Sequence, residues 1–122
     1  MSSYKDLSVY SKSYELSIEI YRKVNACMPQ EEIFGLTSQV KRAATSIPLN
    51  IAEGYAKIGG RNETIRFLQM ARGSCAEMTV LIDMLKDLEY INKAEHKEYA
   101  DRYEEVGKML TGLIHSITNS KN

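Results

Sequence analysis

Gln39-Val-Lys-Arg-Ala-Ala-Thr-Ser-Ile-Pro-Leu-Asn-Ile-Ala-Glu-Gly-Tyr55, followed by Arg66-Phe-Leu-Gln-Met-Ala-Arg-Gly-Ser74, sets arginine, serine, asparagine and glutamate at helical spacing on a face that is otherwise apolar. A polar group on such a face needs a fixed partner, because an unpaired buried charge costs about 3–5 kcal/mol. The stretch therefore predicts a helix that packs against one specific neighbour. Gly59-Gly60, between the two runs, supplies a turn. If the flanking helices pair antiparallel about it, facing residues have numbers that add to about 119. Glu53 then faces Arg66, Ser46 faces Gly73, and Arg42 faces Glu77. Carboxylate–guanidinium pairs are directional and set a register that Leu and Ile alone leave free to slide. Between the two pairs, Gly73, Ser74 and Ala76 stand opposite Ala43, Ala44 and Ser46, which predicts a close approach of the two backbones.

Pro48 lies inside this helix. It cannot donate to the Ala44 carbonyl and crowds the preceding turn, at about 3 kcal/mol in an ordinary helix. The apolar pattern runs on through Ile51 and Ala52, which predicts a kink and not a break. Asn50 is placed to satisfy backbone groups loosened there. Arg42, Ser46, Asn50, Glu53, Arg66 and Glu77 are accordingly expected to form a structural polar network and not a ligand pocket.

Working outward, apolar spacing predicts four helices, at about 7–27, 36–57, 62–89 and 93–118. In the first, Tyr10, Tyr14, Ile18, Tyr21 and Val24 keep a three-to-four rhythm, with Asp6 or Ser8 as the candidate cap. Met28-Pro29 ends it, since the residue before proline is pushed out of helical geometry. The third carries two stripes, Ile65-Leu68-Cys75-Met78-Ile82-Leu85 and Phe67-Met70-Leu81-Met84-Leu88. Asn92 with Glu95 three residues later fits a capping box for the fourth, whose seam is Tyr99, Tyr103, Val106, Leu110, Leu113 and Ile117. Short connections make neighbours antiparallel, so the expected architecture is an all-α, up-down-up-down four-helix bundle in a single domain spanning residues 1–122. The second stripe of the third helix either packs on helices one and four or stays wet. The latter predicts a homo-oligomer, because large exposed apolar patches mark interfaces.

Composition excludes several classes of function. The 122 residues carry 16 Lys/Arg and 16 Asp/Glu, so no global charge draws the chain to nucleic acid or to an anionic membrane. The balance is uneven: residues 1–72 hold ten cations against seven anions, and residues 73–122 hold six against nine. No apolar run approaches the roughly 18 residues of a membrane span, and no export signal opens the chain. A cytoplasmic setting with Cys27 and Cys75 as reduced thiols is the expectation. Catalytic constellations are missing: His96 and His115 follow Lys93 and Gly112 at three positions, not the glutamates of a di-iron bundle. Nor do they complete the arginine–histidine pairing of bundle ribonucleases. There is no phosphate-cradling glycine loop and no zinc spacing of cysteines. No cofactor and no enzymatic activity are expected. His96 is expected at the surface and His115 partly buried.

The run from Gln39 to Gly54, with Arg66-Phe-Leu and Ala71-Arg-Gly-Ser74, closely resembles a bacterial four-helix-bundle family. That family is named for proteins encoded by intervening sequences in large-subunit (23S) ribosomal RNA genes. The resemblance extends from Leu7-Ser-Val-Tyr10 through the final helix. Relatives are similar to the accessory variability protein of diversity-generating retroelements, a basic pentameric ring that binds nucleic acid and a reverse transcriptase. The resemblance implies a ring-like homo-oligomer, a pentamer, with RNA or a ribonucleoprotein as partner. This chain's zero net charge departs from that basic branch, and counterion release needs several cations facing phosphates together. With Arg42 and Arg66 engaged in the register pairs, Lys41, Lys57, Arg61 and Arg72 remain as candidate phosphate contacts, and Tyr55 as a stacking platform. The alternative reading is a purely protein-binding module.

Overall fold

The computed structural model of the protein describes residues 3–56 and 59–120. Four helices make up the fold: α1 Ser8–Cys27, α2 Leu36–Ala56, α3 Arg61–Asp87 and α4 Lys93–Thr118. Short 3-10 turns precede α1 (Tyr4–Asp6) and link it to α2 (Gln30–Glu32). No strand occurs among the described residues.

Local chemistry accounts for the helix ends. The Asn92 side chain accepts from Glu95 N at 2.8 Å, and the Glu95 carboxylate accepts from Asn92 N at 2.9 Å, so the expected box caps α4. At the other terminus Ser3 and Asp6 form a capping box on the 3-10 turn, while α1 begins behind Leu7 with no side-chain cap. Neither Asp6 nor Ser8 caps α1. α3 stops at Asp87, two residues short of the expected end. There Tyr90 N donates to Leu85 O (2.8 Å) and Glu89 N to Lys86 O (2.9 Å), with Glu89 at φ 66°. This is a Schellman closure in which a glutamate occupies the left-handed position glycine usually takes. Gly60, at φ 81°, opens α3 in a conformation that side chains avoid. α2 runs through Pro48 without interruption. Pro48 is buried, and Asn50 Nδ2 donates to Ser46 O at 2.8 Å beside it.

Each helix packs on the next, and α4 closes on α1, while among the described residues the backbones of the diagonal pairs stay apart. Cross-helix partners show that every seam is antiparallel. Arg102 grips Glu19, Lys23 pairs with Glu95, and Lys12 with Glu105 between α1 and α4. The thiol of Cys75 donates to Tyr103 O at 2.9 Å, and Arg72 reaches Thr111 at 3.4 Å, between α3 and α4. The interior is filled by Leu16, Ile20, Val40, Ile47, Ile51, Leu68, Met78, Ile82, Leu85, Tyr103 and Leu110, each almost inaccessible to water. Burying side chains of this size contributes about 1.5–3 kcal/mol apiece.

The α2–α3 hairpin keeps the register set by its turn. Ser46 and Ser74 hydrogen-bond through their hydroxyls, Arg42 lies 3.7 Å from Glu77, and Thr64 Oγ1 donates to Gly54 O at 2.9 Å. Three details differ from expectation. Arg66 does not pair with Glu53: its guanidinium forks onto Glu63 of its own helix (2.8 and 3.2 Å), because a partner one turn away needs no cross-helix reach. The close approach sits at Gly54, where an added Cβ would meet Phe67 Cβ at 3.0 Å, while Gly73 has open space around it. Finally, Arg42, Glu53, Arg66 and Glu77 are all exposed. They line the water-facing edge of the seam, and only Ser46 and Asn50 are half-buried. The charged part of the network is therefore not internal.

The face of α1 also differs. Val9, Ser13, Leu16, Ser17, Ile20 and Val24 are buried, whereas Tyr14, Ile18 and Tyr21 of the expected stripe are exposed. Two serines disguise the inner face. Their hydroxyls bond back to the carbonyls of Tyr10 (3.1 Å) and Tyr14 (2.7 Å), which lets them go inside satisfied. On α3 the first stripe is core, with Ile65 partly buried, but the second divides: Leu81 is buried and Met70, Met84 and Leu88 face water.

Candidate functional site

The residues singled out for nucleic-acid contact do not converge on one surface. Lys41 stands over the Tyr21 ring, 4.4 Å from its centroid, on the α1–α2 side, an arrangement that holds the ammonium by cation–π attraction. Arg72 lies on the opposite side, in the α3–α4 groove. Tyr55 and Arg61 do come together at the hairpin end, lining a shallow cavity of about 350 Å³ with Thr64, Ser116, Ile117 and Ser120. The Arg61 guanidinium donates to the Ser120 carbonyl there, and partial burial pushes the Tyr55 phenol above its ordinary pKa. Lys57 lies outside the described residues. His96 is partly buried against α3, 2.7 Å from Asp83, and His115 is exposed rather than partly buried, because it falls outside the α4 seam formed by Val106, Leu110 and Ile114.

A second cavity, about 460 Å³, runs between α3 and α4. Buried Cys75 and Tyr103 line it with half-buried Gly107 and exposed Ala76, and the polar lining is Arg72, Thr79, Glu104, Lys108 and Thr111. Small residues make it: a Cβ on Gly107 would sit 3.6 Å from Cys75 Sγ. Among the described residues Arg72 hydrogen-bonds only the Thr111 hydroxyl, and Lys108 has no carboxylate partner. Cys75 is buried, which pushes its thiol up to about 11, so it is a neutral, apolar part of the lining at neutral pH and not a nucleophile. Both cysteines are free thiols. No cluster of His, Cys, Asp or Glu suited to a metal ion occurs among the described residues. No helix among them is long and apolar enough to cross a membrane.

Sequence reasoning passed over the α1–α2 connection, Glu31-Glu32-Ile33-Phe34-Gly35. The Phe34 ring is 96% exposed, although the backbone beneath it is well fixed. Glu32 accepts from the Tyr90 hydroxyl at 2.9 Å, and Gly35 N donates to Glu32 O at 2.9 Å. A helix-boundary reading treats such a segment as a linker. The available signal was a bulky aromatic between two acids and a glycine, where turn chemistry calls for small or polar residues. Leu49, Val80 and Leu88 are other large apolar side chains at least half exposed.

No curated protein sequence matches the chain significantly. Among solved structures, a protein of unknown function from the S23 ribosomal protein family of Bacteroides thetaiotaomicron is similar, with a TM-score of 0.80 and 25% identity. The match covers 88% of this chain and 95% of that one. The family model described as 23S rRNA-intervening sequence protein matches residues 5–112, from the first 3-10 turn well into α4. The hairpin motif, the four antiparallel helices and this match lead to one conclusion: the chain belongs to the 23S rRNA-intervening sequence protein family.

Proposed function

We propose that this chain is a non-enzymatic binding module that assembles with copies of itself. The observation that carries the reading is apolar surface left in water after the core is complete, above all the Phe34 ring, with Leu49, Val80 and Leu88. Isolated exposed hydrophobics are ordinary, but a fully exposed phenylalanine on an anchored turn costs solubility without adding to the fold. Co-expression of tagged and untagged copies tests the proposal. Capture of the tagged chain is expected to bring the untagged chain with it, undiminished by nuclease. Recovery of the tagged chain alone contradicts it.

A second reading, contact with RNA, is supported by the shared cavity of Tyr55 and Arg61, an aromatic ring beside a guanidinium. Filter binding across a salt series tests it. Affinity that falls with salt and falls again in Arg61→Ala is expected, and no retention of RNA near physiological ionic strength contradicts it.

A further inference from the structure

We infer that the turn bearing Phe34 docks into the α3–α4 groove of a second copy, with the Phe34 ring against Cys75, Ala76 and Gly107 and the Glu31 carboxylate near Arg72 and Lys108. The inference rests on the self-assembly reading above and names the two surfaces that meet. Three observations support it.

The first is shape. Phe34 is a ring with almost no cover, and the α3–α4 groove is an open trough whose lining combines small residues with Tyr103. At about 460 Å³ the groove has room for a benzyl group, and beside Tyr103 its lining includes a buried neutral thiol and two of the smallest residues, Ala76 and Gly107. Aromatic side chains seated in desolvated pockets are the usual anchors of protein interfaces. The second is charge. Glu31 is exposed and has no ion-pair partner among the described residues. Arg72 of α3 and Lys108 of α4 both line the groove, likewise without carboxylate partners among the described residues. Glu104 sits one helical turn from Lys108, toward the other end of the groove, so only one orientation of an incoming acid avoids repulsion. The third is placement. The Phe34 turn is joined to the α3–α4 turn through Tyr90 and Glu32, whereas the groove is centred near Cys75 in mid-α3. The two surfaces are thus different patches of one molecule, and the contact is heterologous. Repetition of such a contact closes a ring or grows a filament.

The contact predicts a stoichiometry that no general stickiness reproduces. Sedimentation velocity on the parent protein, Phe34→Ala, Gly107→Leu and a 1:1 mixture of the two variants tests it. Both variants alone are expected to lose the parent assembly and run as single chains. Their mixture is expected to form a dimer and nothing larger, because it contains one intact ring and one intact groove per pair. If Phe34→Ala keeps the mass of the parent assembly, or if the mixture stays monomeric, the inference is overturned while self-assembly stands. If the parent itself is a single chain, the self-assembly reading falls and takes this one with it. Should Gly107→Leu lose its helical circular dichroism, Arg72→Glu with Lys108→Glu replaces it. That variant is expected to be monomeric alone and to regain contact with a Glu31→Arg copy. No contact between those two, with each folded, also overturns the inference.

Discussion

Single side chains decide how tightly the middle of the hairpin closes. Gly54 is buried, and a methyl there would press on Phe67 Cβ at 3.0 Å and on the Thr64 carbonyl at 3.3 Å. Gly54→Ala is expected to destabilise the fold by about 1–3 kcal/mol, as overpacking does, despite alanine's better helix propensity. Gly73→Ala, on the same hairpin but in open space, is expected to stabilise it by about 0.5–1 kcal/mol. Paired urea melts of the two variants check the contrast, and equal effects would refute the placement of the close contact. Tyr103 offers a second case. Its ring fills the core, but its hydroxyl is buried with no hydrogen-bond partner among the described residues, and burial drives its pKa well up. An unsatisfied buried hydroxyl costs about 1–3 kcal/mol. Tyr103→Phe is therefore expected to melt no lower than the parent and to gain about 1 kcal/mol. A loss of more than about 1 kcal/mol would mean that the hydroxyl has a partner.

Among the helices, legibility followed the strength of local rules. Gly59-Gly60, Pro29 and the Asn92–Glu95 box marked boundaries that the structure reproduces, because turns and caps depend on residues within reach of one another. The α2–α3 register followed from the turn alone: Arg42–Glu77 lies where it places the pair, and Ser46 meets Ser74, one residue beyond the Gly73 it was set against. What was not legible was competition between near and far partners. Arg66 had Glu63 one turn away and took it, leaving Glu53 to interactions other than this one. The inner face of α1 was hidden by Ser13 and Ser17, since a serine that bonds its own helix goes inside at little cost. The candidate surfaces were the least legible, because a groove built from small residues and a bare ring on a turn have no periodicity. The close of α3 carries its own test. Glu89 holds a left-handed backbone at φ 66°, a conformation that costs a side chain about 1–2 kcal/mol. Glu89→Gly is expected to raise stability by up to about 1 kcal/mol in thermal melts. An unchanged or lower midpoint would contradict this account of the helix end.

For the molecule as a whole, the four seams are not equal. The α1–α4 seam has the least backbone packing and the densest charge pairing. The Arg102 guanidinium forks onto Glu19 at 2.6 and 2.8 Å, which holds the Glu19 carboxyl below the usual carboxylate range. The Lys23 ammonium, with help from the Asn92 backbone, does the same for Glu95. Carboxyls depressed in the folded state stabilise it above their ordinary range, and that contribution is lost as pH falls through the depressed values. Partial exposure limits each pair to about 1 kcal/mol or less. Acidification below the ordinary carboxylate range is therefore expected to loosen α1 and α4 first. Amide exchange should rise there before it rises in the α2–α3 hairpin, and uniform exchange across the four helices would argue against this order.

The central claim is that apolar surface beyond the core serves self-assembly. Sedimentation equilibrium of the purified protein over a wide dilution range tests it most directly. The account predicts a discrete species at a multiple of the 13.9 kDa chain mass, reduced to single chains by Phe34→Ala. A single chain at every concentration would contradict it.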